Sequence, residues 1–146
     1  KGYIEIAKQD GATLIYGGDV PKDPQLSNGW FVEPTVFTNV TQNMRIANEE
    51  VFGPALSVIQ WDDEDALFDQ VNAVDYGLTA SIWTTNLQRA HQAVSRVQSG
   101  YVWVNHVSSH FIGASFGGYK QSGIGREEGF DELLTYTQHK NVHVVL

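Results

Sequence analysis

The stretch TASIWTTNLQRAHQAVSRVQSGYVWV, residues 79–104, decides the fold of this chain. Its two ends, residues 79–83 and 101–104, are rich in the β-branched and aromatic residues that favour strands. Between them, apolar residues recur at helical spacing: Leu87, Ala90, Val94 and Val97. Ser99-Gly100 then ends the helix. A strand, a helix and a strand with short connections predict two neighbouring parallel strands.

A similar unit precedes this stretch. Residues 55–61 are a strongly apolar run, and the acids at 62–65 suit the first turn of a helix because they face the positive end of its dipole. The chain is therefore predicted to be α/β, with a βαβαβ parallel sheet over residues 55–104. Further helices are expected at residues 3–9 and 130–136, and further strands at 12–16, 30–32, 35–37 and 140–146.

Composition narrows the classes of function. The 146 residues carry a formal net charge of −8, from 17 acidic and 9 basic residues, which argues against nucleic-acid and anionic-membrane partners. The absence of cysteine excludes disulfides, thiolate metal sites and a thiol nucleophile within the chain. We see no signal peptide and no apolar run of membrane-spanning length, and therefore expect a cytoplasmic location.

Residues 48–54, NEEVFGP, are the first candidate site. A carboxylate held beside an aromatic face suits a ligand with vicinal hydroxyls and a flat ring, such as a nucleoside, because carboxylate oxygens accept from both ribose hydroxyls. The alternative is a solvated surface turn before a strand, where acids are common. The residues alone leave both interpretations open.

The other candidate motifs for a catalytic, dinucleotide or metal site are less specific. Residues 113–117, GASFG, match a nucleophile elbow, and Asp131 and His139 follow in the order of a serine hydrolase. Against this, a polar loop precedes Ser115 where an elbow requires a strand. The glycines at 123, 125 and 129 have the wrong spacing for a dinucleotide loop. The paired histidines do not bracket a glutamate, so no metal site is predicted.

Five motifs in order resemble the C-terminal portion of the aldehyde dehydrogenase superfamily. They are NEEVFGP at 48–54, YGLTA at 76–80, GYVWVN at 100–105, FGGYKQSGIGRE at 116–127 and YTQHKNV at 136–142. The resemblance covers essentially the whole chain. It implies that residues 1–135 are the end of a catalytic domain and that residues 136–146 are an oligomerisation strand.

The resemblance assigns roles to individual residues. Glu50 matches the glutamate that holds the ribose hydroxyls next to the nicotinamide of NAD or NADP, and Phe52 matches the phenylalanine near the nicotinamide ring. Leu78 matches a leucine that borders the same end of the cofactor. Phe116 falls on an aromatic position of the aldehyde pocket, and His110 lies in the variable loop that tunes substrate choice.

The resemblance also implies a reaction and an assembly. In the family a cysteine thiolate attacks the aldehyde, the thiohemiacetal passes hydride to NAD(P)+, and water releases the carboxylic acid. Members form homo-oligomers, dimers or tetramers, through the terminal strand.

This chain has neither that cysteine nor the dinucleotide-binding half, so we expect a truncated or proteolysed piece with no catalytic residue and no activity alone. The alternative is a free-standing binding domain. Ser115 also departs from the family, which has proline there.

Overall fold

The computed structural model describes all 146 residues and divides them into two compact units, Lys1–Gln70 and Val71–Leu146. The first unit contains α1 (Gly2–Gln9), β1 (Thr13–Tyr16), β2 (Thr35–Thr38), α2 (Arg45–Asn48) and β3 (Ala55–Ser57), and α3 (Glu64–Asn72) crosses the boundary. Beyond it lie β4 (Tyr76–Gly77), β5 (Thr79–Ile82), α4 (Leu87–Arg96), β6 (Tyr101–Val104), β7 (Tyr119–Lys120) and α5 (Phe130–Thr135). A short 3-10 turn spans Pro24–Leu26.

The first unit is a three-stranded sheet with α1 against it. β2 lies in the middle, antiparallel to β1 and parallel to β3. Ile4 and Ala7 lie three residues apart on α1, so both face the core, where they are buried with Phe37 of β2. Phe37 is fully buried. This core fixes the strand from which the chain continues into α2 and the loop at residues 48–54.

The second unit contains the predicted strand–helix–strand. β5 and β6 are parallel and pair from Thr79 with Tyr101 to Ile82 with Val104. α4 begins after Asn86, whose side chain accepts a hydrogen bond from the Arg89 backbone N–H at 3.0 Å. β4 pairs antiparallel with β7 in a separate two-stranded sheet. The α/β class with parallel strand pairs is therefore confirmed.

The distribution of strands differs from the expected single sheet. β3 pairs with β2 in the sheet of the first unit, whereas β5 and β6 form a sheet of their own in the second. Sequence order suggested β3 and β5 as neighbours, but β2 supplies a parallel partner for β3, starting with Thr35 opposite Ala55. The α/β pattern is thus divided between two sheets.

Two further segments predicted to be strands are unpaired in the structure. Residues 30–32 form no strand, and the Trp30 side chain is fully exposed. Residues 140–146 are exposed and unpaired within the chain, and their role as an oligomerisation strand stays a prediction. No helix is both long and apolar enough to span a bilayer.

Candidate functional site

The two neighbouring carboxylates of the 48–54 loop have different environments. Glu49 accepts two hydrogen bonds from the Arg45 guanidinium, at 2.6 and 2.8 Å, and a third from the Tyr3 hydroxyl at 2.7 Å. These hydrogen bonds lower the pKa of Glu49 to about 2, and the bond from Arg45 has the largest effect. The same Glu49 hydrogen bond raises the pKa of Tyr3. Glu49 therefore joins α2 to α1 and is not free to bind a ligand.

Glu50 is the opposite case. Its side chain is exposed and has no hydrogen-bond or ion-pair partner within the chain. Asn48 restrains the backbone just before it, since its amide donates to the carbonyls of Gln42 and of Met44, the latter at 3.0 Å. A carboxylate with all its acceptor positions open, on a restrained backbone, can accept hydrogen bonds from a bound polyol.

Phe52 has an unusual backbone and an unusual exposure. Its φ is +49°, in the left-handed region that bulky residues rarely adopt, and its side chain is 93% exposed. It also lines a cavity of about 230 Å³ together with Val51 and Pro54. Strain at a non-glycine residue and an aromatic ring in solvent both cost free energy, and such costs concentrate at ligand sites. The loop therefore presents a carboxylate and a ring two residues apart.

Leu78 and Phe116 line one cavity in the second unit. The cavity has a volume of about 410 Å³ and is also bordered by Arg126, Glu132 and Tyr136. Leu78 is 41% exposed. The position of Phe116 is fixed by two backbone hydrogen bonds with Glu127, at 2.8 and 2.7 Å. Two residues predicted for different parts of the site thus meet at the same cavity.

His110 belongs to an aromatic cluster around Tyr101. The ring centroid of His110 lies 4.5 Å from that of Phe116 and 5.4 Å from that of Tyr101, on which it stacks. Tyr101 also lies 4.9 Å from Trp103 and 5.6 Å from Phe116. These separations are typical of favourable aromatic pairs. The structure therefore brings the predicted substrate residues His110 and Phe116 into direct contact.

The loop that carries His110 is tied to the sheet and to the glycine-rich segment. The Trp103 indole N–H donates to the Ser109 carbonyl at 2.7 Å. The His110 Nδ1 lies 2.8 and 3.0 Å from the two carboxylate oxygens of Glu128. The side chains of His110 and Glu128 are both about one-third exposed, at 33% and 32%. The ring is thus held by a carboxylate on one side and by aromatic rings on the other.

Sequence reasoning missed two residues of this cluster, Tyr101 and Glu128. Tyr101 could have been found, because Tyr101 and Trp103 alternate on one face of β6. Glu128 gave no signal, since it lies 18 residues after His110 and the segment between them has no periodic pattern that would bring the two together. The apolar character of residues 101–104 on both faces also suggests a fully buried strand, but among the residues of β6 only Trp103 is buried, and Val104 is 39% exposed.

The geometry of a serine nucleophile is absent. Ser115 lies in a loop, without the strand that an elbow requires before it or the helix that it requires after it. Its hydroxyl donates to Asp131 at 3.5 Å, and no histidine contacts it. No group of three or more histidines and carboxylates is arranged to hold a metal ion. The cavity and the aromatic cluster therefore remain the candidate site of the second unit.

The sequence of the chain is similar to those of known aldehyde dehydrogenases. The model of the aldehyde dehydrogenase family matches residues 1–142. A betaine aldehyde dehydrogenase of Mesorhizobium japonicum is 48% identical over 143 residues, which are 98% of this chain and 29% of that protein. The aldehyde dehydrogenase tropH of Talaromyces stipitatus is 46% identical over 147 residues, 99% of this chain and 28% of that protein.

Solved structures give the same result. An aldehyde dehydrogenase of Bacillus cereus in complex with NAD+ superposes with a TM-score of 0.87 at 43% identity, over 94% of this chain and 27% of that one. A betaine aldehyde dehydrogenase of Staphylococcus aureus, also with NAD+, gives 0.89 at 40% identity, over 92% and 27%. The chain spans less than a third of the length of these relatives. It belongs to the aldehyde dehydrogenase family.

Proposed function

We propose that this chain forms part of an NAD(P)+-dependent aldehyde dehydrogenase that converts an aldehyde into a carboxylic acid. The observation that supports this most is the contrast within residues 48–54. Glu49 is occupied by Arg45, whereas Glu50 is free and lies beside the exposed, strained Phe52. Relatives solved with NAD+ add support, since they share 40–43% identity with the chain.

The free carboxylate and the exposed ring fit the ribose and nicotinamide of the cofactor. Glu50 accepts hydrogen bonds from the two ribose hydroxyls, and Phe52 presents an apolar face to the ring. When bound, the dinucleotide supplies the hydride acceptor. The contribution of Glu50 and Phe52 is orientation, which lowers the barrier by holding the reacting groups in register. We keep for Leu78 the contact to the nicotinamide end that the family resemblance implies.

Neutralising Glu50 tests the proposal in the enzyme that contains this chain. Hydrogen bonds to charged groups contribute about 1.5–3 kcal/mol, so Glu50→Gln should slow hydride transfer by roughly tenfold to a hundredfold. Stopped-flow absorbance of the reduced cofactor measures this rate, and cofactor titration measures binding. Glu49→Gln is the matched control and should leave both close to wild type. Wild-type transfer and binding in Glu50→Gln would contradict the proposed role.

The aromatic cluster and the cavity suggest the substrate side. Phe116 lines the cavity and His110 contacts the Phe116 ring, and this supports an aldehyde pocket beside the two rings that favours an aromatic or otherwise apolar aldehyde. Phe116→Ala removes the ring that contacts both His110 and the cavity. It should raise the KM for an aromatic aldehyde about tenfold while leaving the KM for NAD+ unchanged. An equal rise in both would indicate general disruption of the protein.

We also propose that the tail, residues 136–146, pairs with a second copy in the whole protein. Its apolar side chains are strongly exposed: Val142, Val144, Val145 and Leu146. An unpaired β-prone segment with exposed apolar residues can gain backbone hydrogen bonds by strand addition. Removal of residues 140–146 should shift the enzyme to smaller assemblies in analytical ultracentrifugation. An unchanged assembly would contradict this proposal.

The cytoplasmic location stays a prediction from the sequence.

A further inference from the structure

Glu128 is fixed more firmly than a surface acid needs to be. Its φ is +63°, in the left-handed region. Its backbone N–H donates to the Glu132 carboxylate at 2.7 Å, and its carbonyl accepts from the Gly113 N–H at 2.7 Å. The backbone of Glu128 is thus bonded to α5 on one side and to the loop that carries His110 on the other. Its carboxylate is the group that these bonds aim at the imidazole.

The contact with Glu128 determines where His110 carries its proton. Both carboxylate oxygens lie within 3.0 Å of Nδ1. An ionised carboxylate only accepts hydrogen bonds, so Nδ1 must be the donor. The neutral ring then has its lone pair on Nε2, which makes no hydrogen bond within the chain. Phe116 and Tyr101 hold the ring plane, at 4.5 and 5.4 Å between centroids.

Stability is a weak explanation for this arrangement. The two side chains are 33% and 32% exposed, and pairs this exposed contribute little to stability because water and salt screen them. The left-handed backbone at Glu128 has a free-energy cost of its own. The pair adds little stability, yet hydrogen bonds to Glu132 and Gly113 and the neighbouring aromatic rings all hold it in place. The orientation of the His110 ring explains this arrangement better than stability does.

We infer that Glu128 is a positioning residue that presents the Nε2 lone pair of His110 as a hydrogen-bond acceptor in the aldehyde pocket. The rings around His110 are those of Tyr101, Trp103 and Phe116. The substrate that suits this surface is therefore an aromatic aldehyde with one hydroxyl group, which donates to Nε2. This rests on the proposed function, because it takes the aldehyde pocket to lie at His110. It also sharpens the proposed preference for an aromatic or otherwise apolar aldehyde by adding one polar group.

The tautomer is tested first, by a measurement that does not require turnover. In the protein with 15N-labelled histidine, long-range 1H–15N spectra distinguish a protonated Nδ1 from a protonated Nε2. His110, assigned through His110→Phe, should show the Nδ1–H tautomer above the pH at which the ring loses its charge. Glu128→Ala should shift the ring towards the Nε2–H form that free histidine prefers. Glu128→Gln, which keeps an acceptor oxygen, should restore the wild-type spectrum in part.

Specificity is tested with two substrates that differ in one substituent. A hydroxybenzaldehyde and the methylbenzaldehyde substituted at the same position are similar in size, but only the first carries a hydrogen-bond donor. Their intrinsic difference in reactivity is the same for every variant, so it cancels when the ratio is compared between variants. The ratio of their kcat/KM values should fall about tenfold in Glu128→Ala and recover in part in Glu128→Gln. Asp62→Ala, which removes an exposed carboxylate without a side-chain partner, should leave the ratio unchanged.

The outcomes separate the two proposals. An enzyme that oxidises no aldehyde with NAD+ or NADP+ would overturn the proposed function and the specificity with it. An enzyme that oxidises aldehydes, but whose substrate ratio is the same in wild type and Glu128→Ala, would overturn only the inference about Glu128. An Nε2–H tautomer in the wild-type spectrum would do the same.

Discussion

The loop at residues 48–54 and the region from Tyr101 to Glu128 both carry candidate site residues, but they fix them in different ways. In the first, Arg45 lies one helical turn before Glu49 and occupies it, so Glu50 is left free by a contact between sequence neighbours. In the second, His110 is held by a residue 18 positions later and by rings on β6. Contacts between sequence neighbours therefore position the site residues of the first region, whereas packing between segments far apart in the sequence positions those of the second.

The second region should therefore be far more sensitive to changes in the backbone. A Cβ at Gly100 would lie 1.8 Å from the Gly117 carbonyl oxygen, whereas a Cβ at Gly53 would meet no atom closer than 3.9 Å. Gly100→Ala should therefore lower the free energy of unfolding by about 3 kcal/mol, because the two segments must move apart. Gly53→Ala should change it by less than about 0.5 kcal/mol.

Urea denaturation followed by far-UV circular dichroism measures both variants. Gly100→Ala should also weaken the near-UV signal of the Tyr101 and Trp103 rings, since its clash lies next to β6. Similar unfolding midpoints for the two variants would remove the contrast between the regions.

Asn105 tests the same contrast at the end of β6. Its side chain forms two hydrogen bonds with the Thr84 backbone, both 2.8 Å, and its φ is +53°. Asn105→Ala should cost about 2 kcal/mol, the sum of partly solvated hydrogen bonds and a left-handed alanine. Asn105→Gly loses the same hydrogen bonds but tolerates the backbone, and should cost about 1 kcal/mol less. Equal costs in urea denaturation would show that the backbone angle contributes nothing.

The sequence predicted the elements that depend on local patterns. Helical spacing and flanking β-branched runs placed β5, α4 and β6 within a residue or two. Local patterns could not show which strand pairs with β3. Its partner is β2, and this pair lies in a different sheet from β5. Residues 140–146 have strand propensity but no partner within the chain, so their pairing depends on a second copy and not on propensity alone.

The candidate site was predictable to a similar extent. Family resemblance identified Glu50, Phe52, Leu78, His110 and Phe116, whose roles remain predictions. The structure adds that His110 and Phe116 are in contact and that Leu78 shares a cavity with Phe116. Glu128 was beyond sequence reasoning, because its place depends on a left-handed backbone and on hydrogen bonds to Glu132 and Gly113. Such long-range arrangements leave no periodic pattern in a single sequence.

The smallest expected effect concerns Glu49 and depends on pH. Its pKa in the folded chain is about 2, below the ordinary value of 4.5, because Arg45 and then Tyr3 hydrogen-bond to it. A lowered folded-state pKa stabilises the protein above the unfolded-state pKa, and this contribution is lost as the pH falls from about 4.5 to about 2. Glu49→Gln should therefore lower stability at neutral pH and flatten the decline of stability over that interval.

Glu50→Gln is the matched control, since Glu50 has no partner whose loss could change stability. Thermal unfolding followed at intervals between pH 7 and pH 2 compares both variants with wild type. Because the Arg45 and Glu49 side chains are 55% and 38% exposed, solvent and salt screen the pair, and the difference should shrink further in high salt. If Glu50→Gln flattened the acid decline as much as Glu49→Gln, the two carboxylates would share the structural role, and the argument that Glu50 is free to bind a ligand would fail.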